Sequence, residues 1–204
     1  LVGDSSRTRF AFRIAGGWIW SIAFSPDSRL LATGSLDPEV KLWDISTGNC
    51  FKVLQGHTQS IWLVGFSPDG QILVSGSVDQ TVKLWTIANG QCQKTLTGHS
   101  DWVASGCSFS LDGQTLISAS FDQTIKLWDV LTGECCQTLR GHTGRIWTIA
   151  LSPDGHTLAS GAEDCTVRLW NLTTKISVSE KRQDWGRVFS GIGVSLSTRF
   201  SPYL

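Results

Sequence analysis

The 204-residue chain has no methionine, no excess of either charge and no long apolar run, and each absence narrows what it can be. Its 17 basic side chains balance 17 acidic ones. Nothing therefore resembles the basic stripe that displaces counterions from a nucleic-acid backbone, and no nucleic acid is expected as a partner. The longest uncharged stretch toward the end, 188–198, falls far short of the ~20 apolar residues that span a bilayer. The start, with Asp4, Arg7 and Arg9, lacks the apolar core of a signal peptide, so no membrane is expected either. The missing methionine, an initiator included, points to a piece of a longer protein or a processed chain. Six cysteines contain no Cys-x-x-Cys pair that could nucleate a tetrahedral zinc site. No metal or cofactor is expected, and reduced thiols fit a cytoplasmic setting. Gly-x-Ser-x-Gly, P-loop and Gly-x-Gly-x-x-Gly signatures are also absent.

What is present is repetition. Trp43, Trp85, Trp128 and Trp170 stand 42, 43 and 42 residues apart, inside the phrases KLWD, KLWT, KLWD and RLWN. An aspartate precedes each by six residues (Asp37, Asp79, Asp122, Asp164) and a Ser or Thr by ten (Thr33, Ser75, Ser118, Ser160). Gly-His recurs at Gly56-His57, Gly98-His99 and Gly141-His142, whereas the first unit has only the shortened Gly16-Gly17-Trp18. Cys50, Cys92 and Cys135 follow the tryptophans by seven residues, which reads as three small buried apolar side chains belonging to the repeat.

The second unit shows how one repeat is built. Apolar runs over 61–66 and 72–77 flank the turn Ser67-Pro68-Asp69-Gly70, and β-branched residues alternate over 81–87. Ala88-Asn89-Gly90 makes a second turn before a last strand over 92–96. Four short antiparallel strands per unit predict one small sheet, and sheets of this kind bury their faces only by stacking on their neighbours. The third unit carries one extra residue near Ser105-Gly106-Cys107, which reads as a β-bulge.

Period, Gly-His, the turn aspartate and the Trp-Asp phrase together closely resemble the WD40 repeat family over residues 16–172. The resemblance implies an all-β, WD40-type β-propeller of four four-stranded antiparallel blades (16–55, 56–97, 98–140, 141–172). Four blades at the usual angle of a seven-bladed ring make an open arc or a fragment of a larger ring. Residues 1–15 read as an extension or lone strand, and 173–204 as a final strand and a degenerate tail. The resemblance also implies a buried hydrogen-bonded network in each complete blade: His57/Ser75/Asp79/Trp85, His99/Ser118/Asp122/Trp128 and His142/Ser160/Asp164/Trp170. Thr33, Asp37 and Trp43 are its remnant in the first.

A hydrolytic triad is the other use of Ser, His and Asp. Three copies, each tied to a tryptophan, favour structure, so no catalytic residue is assigned. Asn171-Leu172-Thr173 matches a glycosylation acceptor only by chance, since it overlies the Trp-Asp position. In WD40 proteins the residues three and five after the histidine, and the one before the turn aspartate, face the narrower rim where partners dock. By this resemblance the rim holds Ser60 and Trp62, Trp102 and Ala104, Arg145 and Trp147, with Leu36, Val78, Phe121 and Glu163; Trp18 and Trp20 are the nearest equivalents in the first unit. Trp and Arg dominate binding hot spots, which favours a docking surface for a protein or peptide over tryptophans that merely fill the channel wall. The expected function is a non-catalytic scaffold within a larger regulatory protein, like the regular WD arrays of multidomain signalling proteins. Two alternatives are self-assembly through exposed terminal blades and a hydrolytic or enzyme-accessory propeller.

Overall fold

The computed structural model describes residues 17–172, except the side chains of Ala104 and Ser105. The anticipated extension over 1–15, the final strand and the tail over 173–204 lie outside the described residues. Within them the chain is all β, with fifteen strands in four antiparallel meanders. The first blade comprises β1 (Ile19–Phe24), β2 (Leu30–Ser35), β3 (Glu39–Asp44) and β4 (Cys50–Gln55). The second comprises β5 (Ile61–Phe66), β6 (Ile72–Ser77), β7 (Val82–Thr86) and β8 (Cys92–Leu96). The third comprises β9 (Val103–Phe109), β10 (Thr115–Ser120), β11 (Thr124–Asp129) and β12 (Cys135–Arg140). The fourth shows three strands among the described residues, β13 (Ile146–Leu151), β14 (Thr157–Ala162) and β15 (Val167–Asn171), rather than the four expected. The strand expected over 81–87 is shorter, because the Thr81 N–H is drawn to Asp79 Oδ1 and the Ile87 N–H to the Gln71 carbonyl.

The hairpin between the first two strands of each blade is fixed by its own side chains. In the second blade Ser67 Oγ donates to Asp69 Oδ1 (2.5 Å) and accepts the Ile72 N–H (2.9 Å), while Gly70 adopts φ 70°. Such a left-handed φ suits glycine, which has no Cβ to collide with its own carbonyl. The first blade makes the same turn with Ser28 at φ 59°.

β1, β5, β9 and β13 lie side by side as the innermost strands, so the blades follow one another in an open arc. The cores sit between blades. Ala32, Val40, Leu42 and Leu54 of the first blade pack with Ile61, Val64, Leu73 and Trp85 of the second. Val74, Val82, Leu84 and Leu96 pack with Val103, Phe109, Leu116 and Trp128 in the same way. Ile117, Ala119 and Ile125 then meet Ile146, Ile149 and Leu158. Each large apolar side chain fully buried in these three seams contributes about 1.5–3 kcal/mol.

Two features depart from regular pairing. In the first, second and fourth blades the register of the innermost strand shifts by one residue, at Trp20, Trp62 or Trp147. The third blade's shift is one residue longer, spanning Ala104–Gly106 between Val103 and Cys107, which places the extra residue where the sequence reading put it. A Cβ on Gly106 would lie 2.7 Å from the Ile149 backbone nitrogen, so this detour requires glycine. The outermost strands correct the cysteine reading. Cys50, Cys92 and Cys135 are exposed rather than buried, because each pairs with the repeat tryptophan from the outer strand, beside a bulge that turns it to solvent. Their Sγ atoms lie 3.5, 3.3 and 3.4 Å from the carbonyls of Lys52, Lys94 and Gln137.

Candidate functional site

The loops leading into the innermost strands are fastened by buried side chains. In the second blade Trp85 Nε1 donates to Ser75 Oγ (2.8 Å), which lies 2.8 Å from His57 Nε2, and His57 Nδ1 lies 2.8 Å from Asp79 Oδ2. A carboxylate only accepts, so Asp79 places a proton on Nδ1, and in the neutral ring Nε2 accepts the Ser75 hydroxyl proton. The third blade repeats the chain through Trp128, Ser118, His99 and Asp122 with all three distances 2.8 Å. The fourth does so through Trp170, Ser160, His142 and Asp164 at 2.8, 2.7 and 2.8 Å. Among the described residues no buried side-chain nitrogen or oxygen lacks a hydrogen-bond partner.

Each aspartate binds more than its histidine. Asp79 Oδ2 also accepts the Thr58 N–H (3.0 Å), and Asp79 Oδ1 accepts the Thr81 hydroxyl (2.6 Å) and N–H (3.0 Å). Burial by itself raises the Asp79 carboxyl, but the His57 and Thr81 side chains and the Thr58 N–H outweigh it and hold the group far below the usual carboxylate range. Asp122, against His99, Thr124 and Ser100, and Asp164, against Thr166, Thr143 and His142, are held down in the same way. The threonines were not singled out from the sequence, although Asp-x-Thr at 79–81, 122–124 and 164–166 recurs in the register that revealed the aspartates. The intervening Gln80, Gln123 and Cys165 take left-handed φ of 70°, 68° and 61°.

The first blade keeps a remnant. Trp43 Nε1 donates to Thr33 Oγ1 (3.0 Å), while Asp37 Oδ2 faces Lys41 Nζ at 3.8 Å in place of a histidine. Pro38 occupies the position that is left-handed in the other blades, and its ring fixes a negative φ, so the Asp-x-Thr turn cannot form there.

The three loops held by these networks, and the shorter loop of the first blade, carry the residues expected on the rim. A backbone rung pairs the two rim positions of every blade: Leu36 N–H to Trp18 O (3.1 Å), Val78 to Ser60 (3.1 Å), Phe121 to Trp102 (2.9 Å) and Glu163 to Arg145 (2.8 Å). Trp20, Trp62 and Trp147 sit at the bulges of β1, β5 and β13, a distortion that re-aims a side chain. In the third blade that position is Ala104, and the indole comes instead from Trp102, three residues after His99 in the loop. The Ala104 side chain lies outside the described ones.

The rings meet in a continuous series. Trp18 and Trp20 centroids are 5.5 Å apart, and Trp20 stacks on Trp62 at 4.7 Å with 15° between planes. Trp62 reaches Trp102 (5.4 Å) and Trp147 (6.5 Å), and these three surround Phe121 at 5.9, 5.5 and 4.6 Å. Phe121 is buried, the floor of the patch rather than its surface, while Trp18 (74% exposed), Trp102 (38%) and Trp147 (42%) stay open to solvent. Exposed Arg145 sets its guanidinium carbon 5.3 Å from the Phe121 centroid. Ser60 does not join this group, since its hydroxyl is spent on the Leu36 carbonyl (2.9 Å) of the preceding blade. Leu36 and Glu163 are exposed and Val78 half-buried at its margin.

Elsewhere a cleft of about 300 Å³ lies among Pro26, Pro68, Phe66 and Cys107, close to the Ser-Pro-Asp turns. Burial pushes the Cys107 thiol up to about 12, which leaves it a packing group rather than a nucleophile.

Comparison with known proteins agrees with this geometry. The profile of the "WD domain, G-beta repeat" family matches residues 10–44, 48–86, 90–129 and 133–171. Eukaryotic translation initiation factor 3 subunit I is 51% identical over 37 residues in Aspergillus niger and 54% in Aspergillus oryzae, each match covering 18% of this chain and 11% of the relative. The general transcriptional corepressor TUP1 of Saccharomyces cerevisiae is 46% identical over 44 residues, 22% of this chain and 6% of the relative. The matched stretches thus span about a tenth or less of these relatives, the length of a single repeat. With four units matched along most of its length and the expected blades in place, the chain belongs to the WD40, or WD domain G-beta repeat, family.

Proposed function

We propose that the chain is a non-catalytic scaffold that binds a protein or peptide on its indole-bearing rim, as part of a larger regulatory protein. The observation that carries the reading is the unbroken contact series from Trp18 to Trp147 over buried Phe121, with Arg145 beside it. Indoles present large rigid faces with few rotatable bonds, and a neighbouring guanidinium can stack or pair with an acidic group. The hydrolase alternative is disfavoured because Ser75 and Ser118 are wholly buried, their hydroxyls spent on indole and imidazole. Among the relatives, one is by name a subunit of a translation factor and another a corepressor, which fits a role played through other proteins. The six free cysteines, five of them exposed, support the reducing cytoplasm as its setting.

The test uses peptides selected from a random phage-displayed library on the full chain. On this reading the selected peptides compete with one another and lose at least ~30-fold in affinity, about 2 kcal/mol, with Trp102→Ala or Trp147→Ala. Peptides that bind both variants as tightly as the parent chain would remove the docking site from the rim.

A further inference from the structure

The indole-bearing rim has little to offer a β-strand or an amphipathic helix. Strand addition needs a row of unpaired backbone groups. Here the loop carbonyls are already taken: those of Ser60, Trp102 and Arg145 accept the N–H groups of Val78, Phe121 and Glu163. The carbonyls of Gln59 and Asp101 accept the Ser77 and Ser120 hydroxyls, each at 3.0 Å, and the Trp102 N–H goes to Asp101 Oδ1 at 2.8 Å. A helix needs a groove that takes its anchoring side chains. Beneath these indoles that space is filled by buried Phe121, whose ring lies 5.9, 5.5 and 4.6 Å from those of Trp62, Trp102 and Trp147. What the rim does offer is ring faces, donors and one charge. Among the described residues the indole N–H groups of Trp62 and Trp102 have no acceptor, and an indole only donates. Exposed Arg145 is likewise without a carboxylate partner among them, although Glu163 lies across its backbone rung.

We propose that the peptide taken by this rim is a proline-rich segment in the polyproline II conformation, with an acidic residue beside its prolines. The inference rests on the docking reading above and names the partner's chemistry. A polyproline II chain has no internal hydrogen bonds, so its carbonyls are free to accept from the indoles of Trp62 and Trp102. Its pyrrolidine rings lie flat on the open faces of Trp102 and Trp147 and need no pocket. The chain is already extended before it binds, so little conformational freedom is lost on docking. The acidic residue pairs with Arg145, whose planar fork matches a carboxylate. The same guanidinium repels a cationic segment, which the bare indoles would otherwise attract.

The probes are the peptides selected from the random phage-displayed library on the full chain. Those weakened by Trp102→Ala should carry closely spaced prolines next to an Asp or Glu, and replacing the prolines by Ala should lower affinity at least ~10-fold. Arg145 is exposed, so Arg145→Glu leaves the seams between blades intact. It should weaken the same peptides, and changing their acidic residue to Lys should restore binding to this variant but not to the parent chain. That exchange cannot arise from a loss of fold. Should Trp102→Ala unfold, Trp147→Ala sorts the peptides in its place. Rim-dependent peptides that lack proline, or that bind Arg145→Glu as tightly as the parent, overturn the proposal and leave the docking site standing. Peptides indifferent to both tryptophan substitutions overturn the docking site and this proposal together.

Discussion

A single carboxylate does much of the fastening in each complete blade. Asp122 accepts from His99, the Ser100 N–H, and the Thr124 hydroxyl and N–H, which joins the incoming loop to the turn on the far side of the strand pair. Replacing Asp79, Asp122 or Asp164 by Ala leaves a buried histidine without its acceptor, and each should cost about 1–3 kcal/mol in denaturant unfolding. Midpoints unchanged within error for all three would remove the network from this account. The same carboxylates set an acid limit. Their folded values lie below the ordinary 3.8, so the stability they confer is complete above that value and is lost as pH falls toward the depressed ones. Asp79→Asn should therefore be less stable than the parent near pH ~7, with a gap that narrows as the pH drops below about 4. A gap that widened on acidification would contradict that sign. The members of the fastening were legible in the sequence because a Ser or Thr and an aspartate keep a fixed distance from each tryptophan and Gly-His a nearly fixed one from three of them, while the bonding among them came from the WD40 resemblance. The threonines keep a fixed distance too. The exposure of Cys50, Cys92 and Cys135 was not legible, because spacing places a residue in the repeat but cannot say that its strand is the outer one, beside a bulge.

At the scale of the element, the turns read directly from sequence because Ser-Pro-Asp-Gly states its geometry residue by residue. Ser28 breaks that rule at φ 59°, where the other blades have Gly70, Gly113 and Gly155. Left-handed backbone costs a non-glycine residue ~1–2 kcal/mol, offset by ~0.4–1 for glycine's freer unfolded chain. Ser28→Gly should thus stabilise the fold by about 0.5–1 kcal/mol, because the exposed Ser28 side chain has little to lose. A fall in melting temperature would refute the strain. What stayed hidden at this scale is the bulge. Trp20, Trp62 and Trp147 look like ordinary members of an apolar run, and a period-two reading points them to a face. The register shift instead turns them toward one another in the ring series. The extra residue of the third blade was visible as a count and Trp102 by its spacing from His99, yet the contacts of that indole with Trp62 and Phe121 depend on three-dimensional neighbours.

For the whole molecule, the period together with the Trp-Asp phrase announced stacked blades, and the innermost strands follow one another in an open arc. Period could not say which indoles touch. The central proposal concerns the rim: the networks hold loops whose tryptophans are proposed to meet a partner. Trp62 is the hub, touching Trp20, Trp102, Phe121 and Trp147. The most direct measurement is Trp62→Ala, read for peptide affinity and melting temperature on one preparation. The account predicts a loss of at least ~30-fold in affinity, about 2 kcal/mol, with the melting temperature held within a few degrees. A marked fall in melting temperature with affinity retained by the folded fraction would contradict it and return the tryptophans to the core.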